Sequence, residues 1–395
     1  MKFHHIFASL IIGAASLTPV PASAVSISEV LHIIESNNLQ LRAASADNAA
    51  AEAGMRAENT LPPLSVEFSP FFRPGVAGMA SSELVVSQEF DFPTLYGSRN
   101  RQASLERNAL DGATAVERRD LLLDAETQCI TLVRLQREAE LTANRHATSQ
   151  TLLEAYEKSL ALGRATVLDV NRIRLELQDL ELQQLQCSAD MAAAVGALRT
   201  LNGGAELDLS GLDYERDAMA VFNAEAAEGL LQSDASLSAA RAEIEAARHN
   251  VSVAKSGWLP SLSLGYRRNS EGDEAANGFL VGAALPLVGN SSKTRAAKAR
   301  LSASELQLEA ARADAESRLN NTLVEIGRMQ ATLRATDPTL IEETLTLYAK
   351  SLEAGQITIT EYYQATTGLY DRLQTRITIE AALQQALATL LIPTR

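Results

Sequence analysis

Cysteine is nearly absent from the 395 residues: Cys129 and Cys187 are the only two, so no disulfide framework holds this chain together. If the chain folds back near Gly163, the two sit at heights along a helical hairpin that differ by roughly 15 Å, too far for a disulfide. Two small buried side chains are the expectation. Aromatic residues make up 5% and tryptophan occurs once, which is sparse for a large globular core. Basic residues are outnumbered, 35 against 49, for a net charge of −14. That balance argues against nucleic acid, whose phosphates demand basic surface, although a solvated acidic helix surface gives the same sign. No apolar run after the N-terminus approaches 18 residues, so no membrane-spanning helix is expected there. Catalytic signatures are also missing. After residue 24 the histidines are His32, His146 and His249, far apart and without metal-ligand spacing. There is no Gly-rich phosphate loop. Ser252-Val253-Ala254-Lys255 matches S-x-x-K but lacks the S-D-N and K-T-G that accompany it in penicillin-binding enzymes. Neither an enzyme nor a cofactor is expected.

What the chain does contain is helix-forming sequence. Hydrophobic residues make up 46%, and Ala, Leu, Glu, Gln and Arg, all strong helix formers, dominate. The N-terminus has Lys2, an apolar run from Ile6 to Leu17, Pro19, Pro21 and then Ala22-Ser23-Ala24. A basic start, a short apolar middle and an A-x-A end predict a cleavable secretory signal over residues 1–24. Val25 follows, not Cys, so no lipidated N-terminus is expected.

The most informative feature is internal duplication. Tyr156-Glu157-Lys158-Ser159-Leu160-Ala161-Leu162-Gly163 recurs in constant register as Tyr348-Ala349-Lys350-Ser351-Leu352-Glu353-Ala354-Gly355. The match continues through Thr166 and Thr358, then Asp169 and Glu361. Upstream, Leu61-Pro62 and Leu259-Pro260 each follow an Ala-rich helical stretch and precede an alternating segment. One unit used twice is expected: residues 25–201, then a linker over 202–223 with a possible short strand from Glu206 to Leu209, then residues 224–395.

Each unit opens with a helix, from Ile27 to Asn59 and from Ala224 to Ser256, ended by Leu-Pro because proline disfavours helix in the residue before it. Two alternating segments follow, near residues 64–72 and 83–92 in the first unit and 261–268 and 279–287 in the second. Leu64, Val66 and Phe68, for instance, alternate with Ser65, Glu67 and Ser69. Period two with one apolar and one polar face predicts strands between two different solvents. A soluble sheet packed on helices would alternate too. Strands of about 9–11 residues, however, suit a tilted bilayer crossing, and residues 73–80 and 269–278 suit surface loops. Four strands cannot close a barrel in lipid, so the barrel must be shared between chains. Long helices complete each unit. Gly97 to Leu162 contains no proline, with apolar or small residues at three- and four-residue steps such as Ala125, Cys129, Leu132, Leu135 and Ala139, a coiled-coil-like pattern. It folds back at Gly163 into a helix to Leu201. The second hairpin turns at Gly355, and Asp337-Pro338 predicts a cap, restart and kink within its first arm.

With these residues in view, the sequence resembles the TolC-like outer-membrane efflux proteins over essentially the whole chain after residue 24, with some leaning toward the CzcC/CusC-like heavy-metal branch. The tip pattern Tyr-x6-Gly-x2-Thr, with Asp or Glu three residues on, occurs twice at matched positions. The resemblance implies a homotrimer in the outer membrane, a shared twelve-stranded β-barrel continued by a periplasmic α-barrel. It also implies a periplasmic adaptor docking at Leu162-Gly163-Arg164 and Ala354-Gly355-Gln356, and an inner-membrane pump of the RND or ABC type that delivers substrate. Glycine serves a plain hairpin turn equally well. A TolC-type acidic gate has two aspartates and a nearby arginine after the second tip. The matching positions here are Glu361, Gln364 and Ile357, with Asp169 retained at the first tip. A carboxylate ring there would favour cations. Glu361 and Asp169 equally suit the first turn of a helix, where a carboxylate complements the dipole. A type I secretion duct and a non-pore periplasmic coiled-coil scaffold are the competing functions.

Overall fold

A computed structural model describes residues 25–75, 77–221, 224–271, 274–286 and 289–392. The expected signal over residues 1–24 and the last expected strand position, Leu287, lie outside the described residues. The first helix expected from Ile27 to Asn59 is two: α1 (Ile27–Asn37) and α2 (Leu39–Glu58). Asn38 breaks it. Its backbone is extended, its Oδ1 accepts from Leu41 N, and its Nδ2 donates to Leu201 O at 2.9 Å, so the side chain serves as an N-cap. Asp234 does the same between α5 (Ala224–Gln232) and α6 (Ala235–Ser256). Both breaks were sequence-expected continuous helices, and in both a short polar side chain competes with the helix for its own backbone.

Strands β1 (Ser65–Phe71), β2 (Ser81–Phe90), β3 (Ser261–Glu271) and β4 (Glu274–Ala284) form one antiparallel sheet in the order β1-β2-β3-β4. The second hairpin corrects the expected loop at 269–278: pairing runs on through Asn269↔Ala276 and Ser270↔Ala275 to Glu271↔Glu274. Ladder pairing here outweighs the turn-like composition. Register puts Val66, Val86, Tyr266 and Phe279 in one row and Leu264 beside Val281. Paired residues share a face. That face stays uncovered: Phe279 is 91% exposed and Val281 79%. The other face carries Glu67, Glu83, Glu89 and Arg267, with Arg267 Nε 2.8 Å from Glu83 Oε1. Gly265 is on this polar face, where a Cβ would come within 2.7 Å of Val86 O, so the β2–β3 junction requires glycine. The outer edges, β1 and β4, have no partner strand among the described residues.

Below the sheet, α3 (Pro93–Ala161) runs unbroken for 69 residues, roughly 100 Å of helix, and returns as α4 (Val167–Leu201). Pro93 occupies the first turn, where its missing N–H costs nothing. The second hairpin is α7 (Asn290–Ala335), α8 (Pro338–Glu353) and α9 (Ile359–Leu391). The break at Asp337-Pro338 is as expected: Asp337 Oδ1 accepts from Thr339 N and Leu340 N. Ala125, Cys129, Leu132 and Leu135 are buried and Ala139 is half-buried. Cys129 and Cys187 are free; Cys187 is half-buried rather than buried, and its thiol donates to Leu135 O at 3.2 Å. Residues 206–209 form no strand. The linker is instead pinned by side chains. Arg216 donates bidentately to the buried Glu126 carboxylate of α3 at 3.0 and 2.7 Å, while Gln384 and Gln330 donate to the carbonyls of Arg216 and Ala218. Arg137 stacks over Tyr214 and pairs with Asp213 and Glu380.

Candidate functional site at the hairpin tips

The two tips have one geometry. Helix α3 ends with Gly163 at φ 69°, and α8 with Gly355 at φ 70°, a left-handed conformation that glycine adopts without penalty. Arg164 N donates to Ser159 O at 2.8 Å and Gly163 N to Leu160 O at 2.9 Å; Gln356 N donates to Ser351 O at 2.9 Å and Gly355 N to Leu352 O at 3.0 Å. This paired closure satisfies the last helical carbonyls. Leu162, Gly163, Arg164, Ala354, Gly355 and Gln356 are all exposed, Leu162 at 68%, and neither tip glycine has a neighbour within 4 Å of a Cβ position.

Each returning helix starts with a capping box. Thr166 Oγ1 accepts from Asp169 N while Asp169 Oδ2 accepts from Thr166 N at 2.9 Å. Thr358 Oγ1 accepts from Glu361 N while Glu361 Oε2 accepts from Thr358 N at 2.7 Å. The backbone bond from Thr358, aided by its hydroxyl, holds the Glu361 carboxyl below the usual carboxylate range, so it is ionised at neutral pH. Glu361 and Gln364 are exposed and Asp169 is half-buried. Within one chain, no hydrogen bond or ion pair among the described residues joins these three. Both carboxylates therefore serve the helix starts, and any gate they form needs other copies.

Beneath the tips is a cluster that the motif pattern did not reveal. Ile173, Leu177, Ile359, Tyr362 and Tyr363 pack with Leu152 and Leu352, tying the two hairpins together. Burial pushes the Tyr363 hydroxyl up to about 12; burial first, and then the Asp169 charge, raises Tyr156. Arg145 pairs with Glu176 and stacks over Tyr370 at 4.7 Å. The Tyr362-Tyr363 pair in the first turn after the second tip was the available signal.

Comparison with known proteins finds relatives among outer-membrane efflux proteins. The family model described as "Outer membrane efflux protein" matches residues 227–391. TolC of Vibrio cholerae is 28% identical over 324 residues, covering 75% of this chain and 72% of TolC. The chain resembles the TolC-like outer-membrane efflux proteins. The chain is also similar to the cobalt-zinc-cadmium resistance protein CzcC of Cupriavidus metallidurans, 23% identical over 283 residues, 69% of this chain and 66% of CzcC. The solved structure of the outer membrane protein VceC of Vibrio cholerae shares its fold, with a TM-score of 0.75 at 17% identity, over 93% of this chain and 95% of VceC. Its likeness to outer-membrane efflux proteins supports an outer-membrane location and a role other than catalysis.

Proposed function

We propose that this chain is one protomer of a homotrimeric efflux duct that passively conducts substrate delivered by an inner-membrane pump, of the RND or ABC type, and a periplasmic adaptor. The observation that carries the reading is the open sheet: four strands with an uncovered apolar face and two unpaired edges. Open edges are not tolerated in lipid. Three copies, with β4 of each beside β1 of the next, would close twelve strands with the apolar face to lipid and Glu67, Glu83 and Arg267 to the lumen.

The exposed tips, Leu162-Gly163-Arg164 and Ala354-Gly355-Gln356, present a short apolar and polar surface to the adaptor. Glu361, with Gln364 and Asp169 nearby in the tip region, would repeat around the symmetry axis as a carboxylate ring at the periplasmic end. Docking then opens the duct by binding the open packing more tightly than the closed one. Single-channel conductance of the purified chain in planar bilayers tests both parts. Discrete cation-favouring steps, with selectivity lost in Glu361→Gln, are expected. Steps unchanged by Glu361→Gln would remove the gate ring, and a folded oligomer that never inserts would overturn the duct.

A further inference from the structure

The chain is acidic overall, yet the helical ends next to the sheet are basic. From Asn290 to Ser304, helix α7 carries Lys293, Arg295, Lys298 and Arg300 and no carboxylate. These four divide between two sides. A cavity of about 870 Å³ lies where α3, α6 and α7 meet the sheet, lined by Lys293 and Arg300 together with Ser261 and Ala284. Ser261 and Ala284 are a register pair on the polar face, so the cavity opens on the lumenal side. There Arg300 is paired with Glu243 and Arg99 with Asp91.

The opposite side differs. Helical positions advance by about 100° per residue, which sets Arg295 and Lys298 of α7 and Lys255 of α6 more than about a third of a turn from the middle of the cavity lining on their own helices. All three are exposed, and none has an ion-pair partner among the described residues. Three residues after Lys255 is Trp258, the only tryptophan, 50% exposed. It lies in the turn that joins α6 to β3, where the helices meet the sheet. An aromatic ring at the end of an apolar band, followed by unpaired cations, is the arrangement that sits at a headgroup layer.

We infer that Lys255, Arg295 and Lys298, with Trp258, form a collar that recruits anionic phospholipid headgroups of the leaflet nearest the helices. This rests on the apolar face being lipid-facing. Charge complementarity selects the occupant: basic groups near a surface attract anionic lipid, and the collar lies where α6 and α7 meet the end of the apolar band. It also accounts for a basic girdle on a chain whose total charge is −14.

The single tryptophan makes the test local. The full chain is reconstituted in phosphatidylcholine bilayers doped with an equal small fraction of brominated phosphatidylglycerol or brominated phosphatidylcholine, and Trp258 quenching is read. Quenching by the brominated anionic lipid should exceed that by the zwitterionic one by about threefold or more, the scale set by a fraction of the three charges. The preference should vanish in the Lys255→Gln, Arg295→Gln, Lys298→Gln triple variant, whose quenching by brominated phosphatidylcholine stays at the wild-type level. Equal quenching in the wild type overturns the collar, as does a preference that survives the triple variant. Absence of quenching by either lipid overturns the lipid-facing assignment of the sheet itself, and the collar with it.

Discussion

At the residue scale, Glu361 shows how one carboxylate serves folding first. Its charge is stabilised by the Thr358 backbone and hydroxyl, so its cap is fully present above the ordinary carboxylate range. The cap is lost as pH falls through the lowered folded-state value. Glu361→Gln keeps an acceptor but cannot titrate. Hydrogen-exchange protection factors at the second tip should therefore fall with acid in the wild type and stay flat in the variant. Cys129 gives a second prediction. Burial, with the charges of Glu126 and Glu215, pushes its thiol up to about 12, and thiolate is the reactive form. Mass spectrometry after iodoacetamide treatment at pH 8 should find Cys129 unmodified in the folded chain and modified once it is denatured. The tip glycines, and the place of Asp169 and Glu361 in a helix's first turn, were legible in the sequence because each needs a particular residue at a particular step; the reciprocal bonds with Thr166 and Thr358 came from the structure. The Arg145–Glu176 pair and the tyrosine cluster were not, because residues on four different helices make them and no local spacing marks the meeting.

At the scale of elements, the strands and the long helices were visible from period and from the absence of proline. The breaks at Asn38 and Asp234 were missed although their capping residues stood in plain sight, since helix-forming sequence on both sides carries the same helical period through them. The extra pairing of the second hairpin was missed for the converse reason: Asn269, Ser270 and Glu271 have turn-like chemistry, and only the partner strand decides that they pair. The linker's lack of regular structure likewise depends on tertiary partners, above all the buried Arg216–Glu126 pair, 11% and 4% exposed at the side chains. Removing one member of such a pair leaves the other charge buried, so Glu126→Ala should cost about 3–5 kcal/mol. The corresponding drop in Tm, measured in detergent, should far exceed that of Glu157→Ala, whose bridge to Arg174 is exposed.

At the scale of the whole molecule, the proposed sharing of strands makes a definite stoichiometric demand. Native mass spectrometry of the detergent-solubilised protein should give three chains per particle, and a stable monomer would leave both sheet edges unexplained. The same sheet has a consequence in time. Phe90 pairs with Leu262 and Ser81 with Glu271, so the central seam joins segments on the order of 170 residues apart, the kind of pairing that forms slowly. The chain emerges from the ribosome N-terminus first, and β2 has no partner on its inner side until β3 exists. Both long arms of the first hairpin are made in that interval. The nascent first half therefore carries an unpaired apolar hairpin through most of its synthesis, a template to which strands of other chains can add. This strand order therefore demands that β1 and β2 stay unpaired with other chains until β3 arrives.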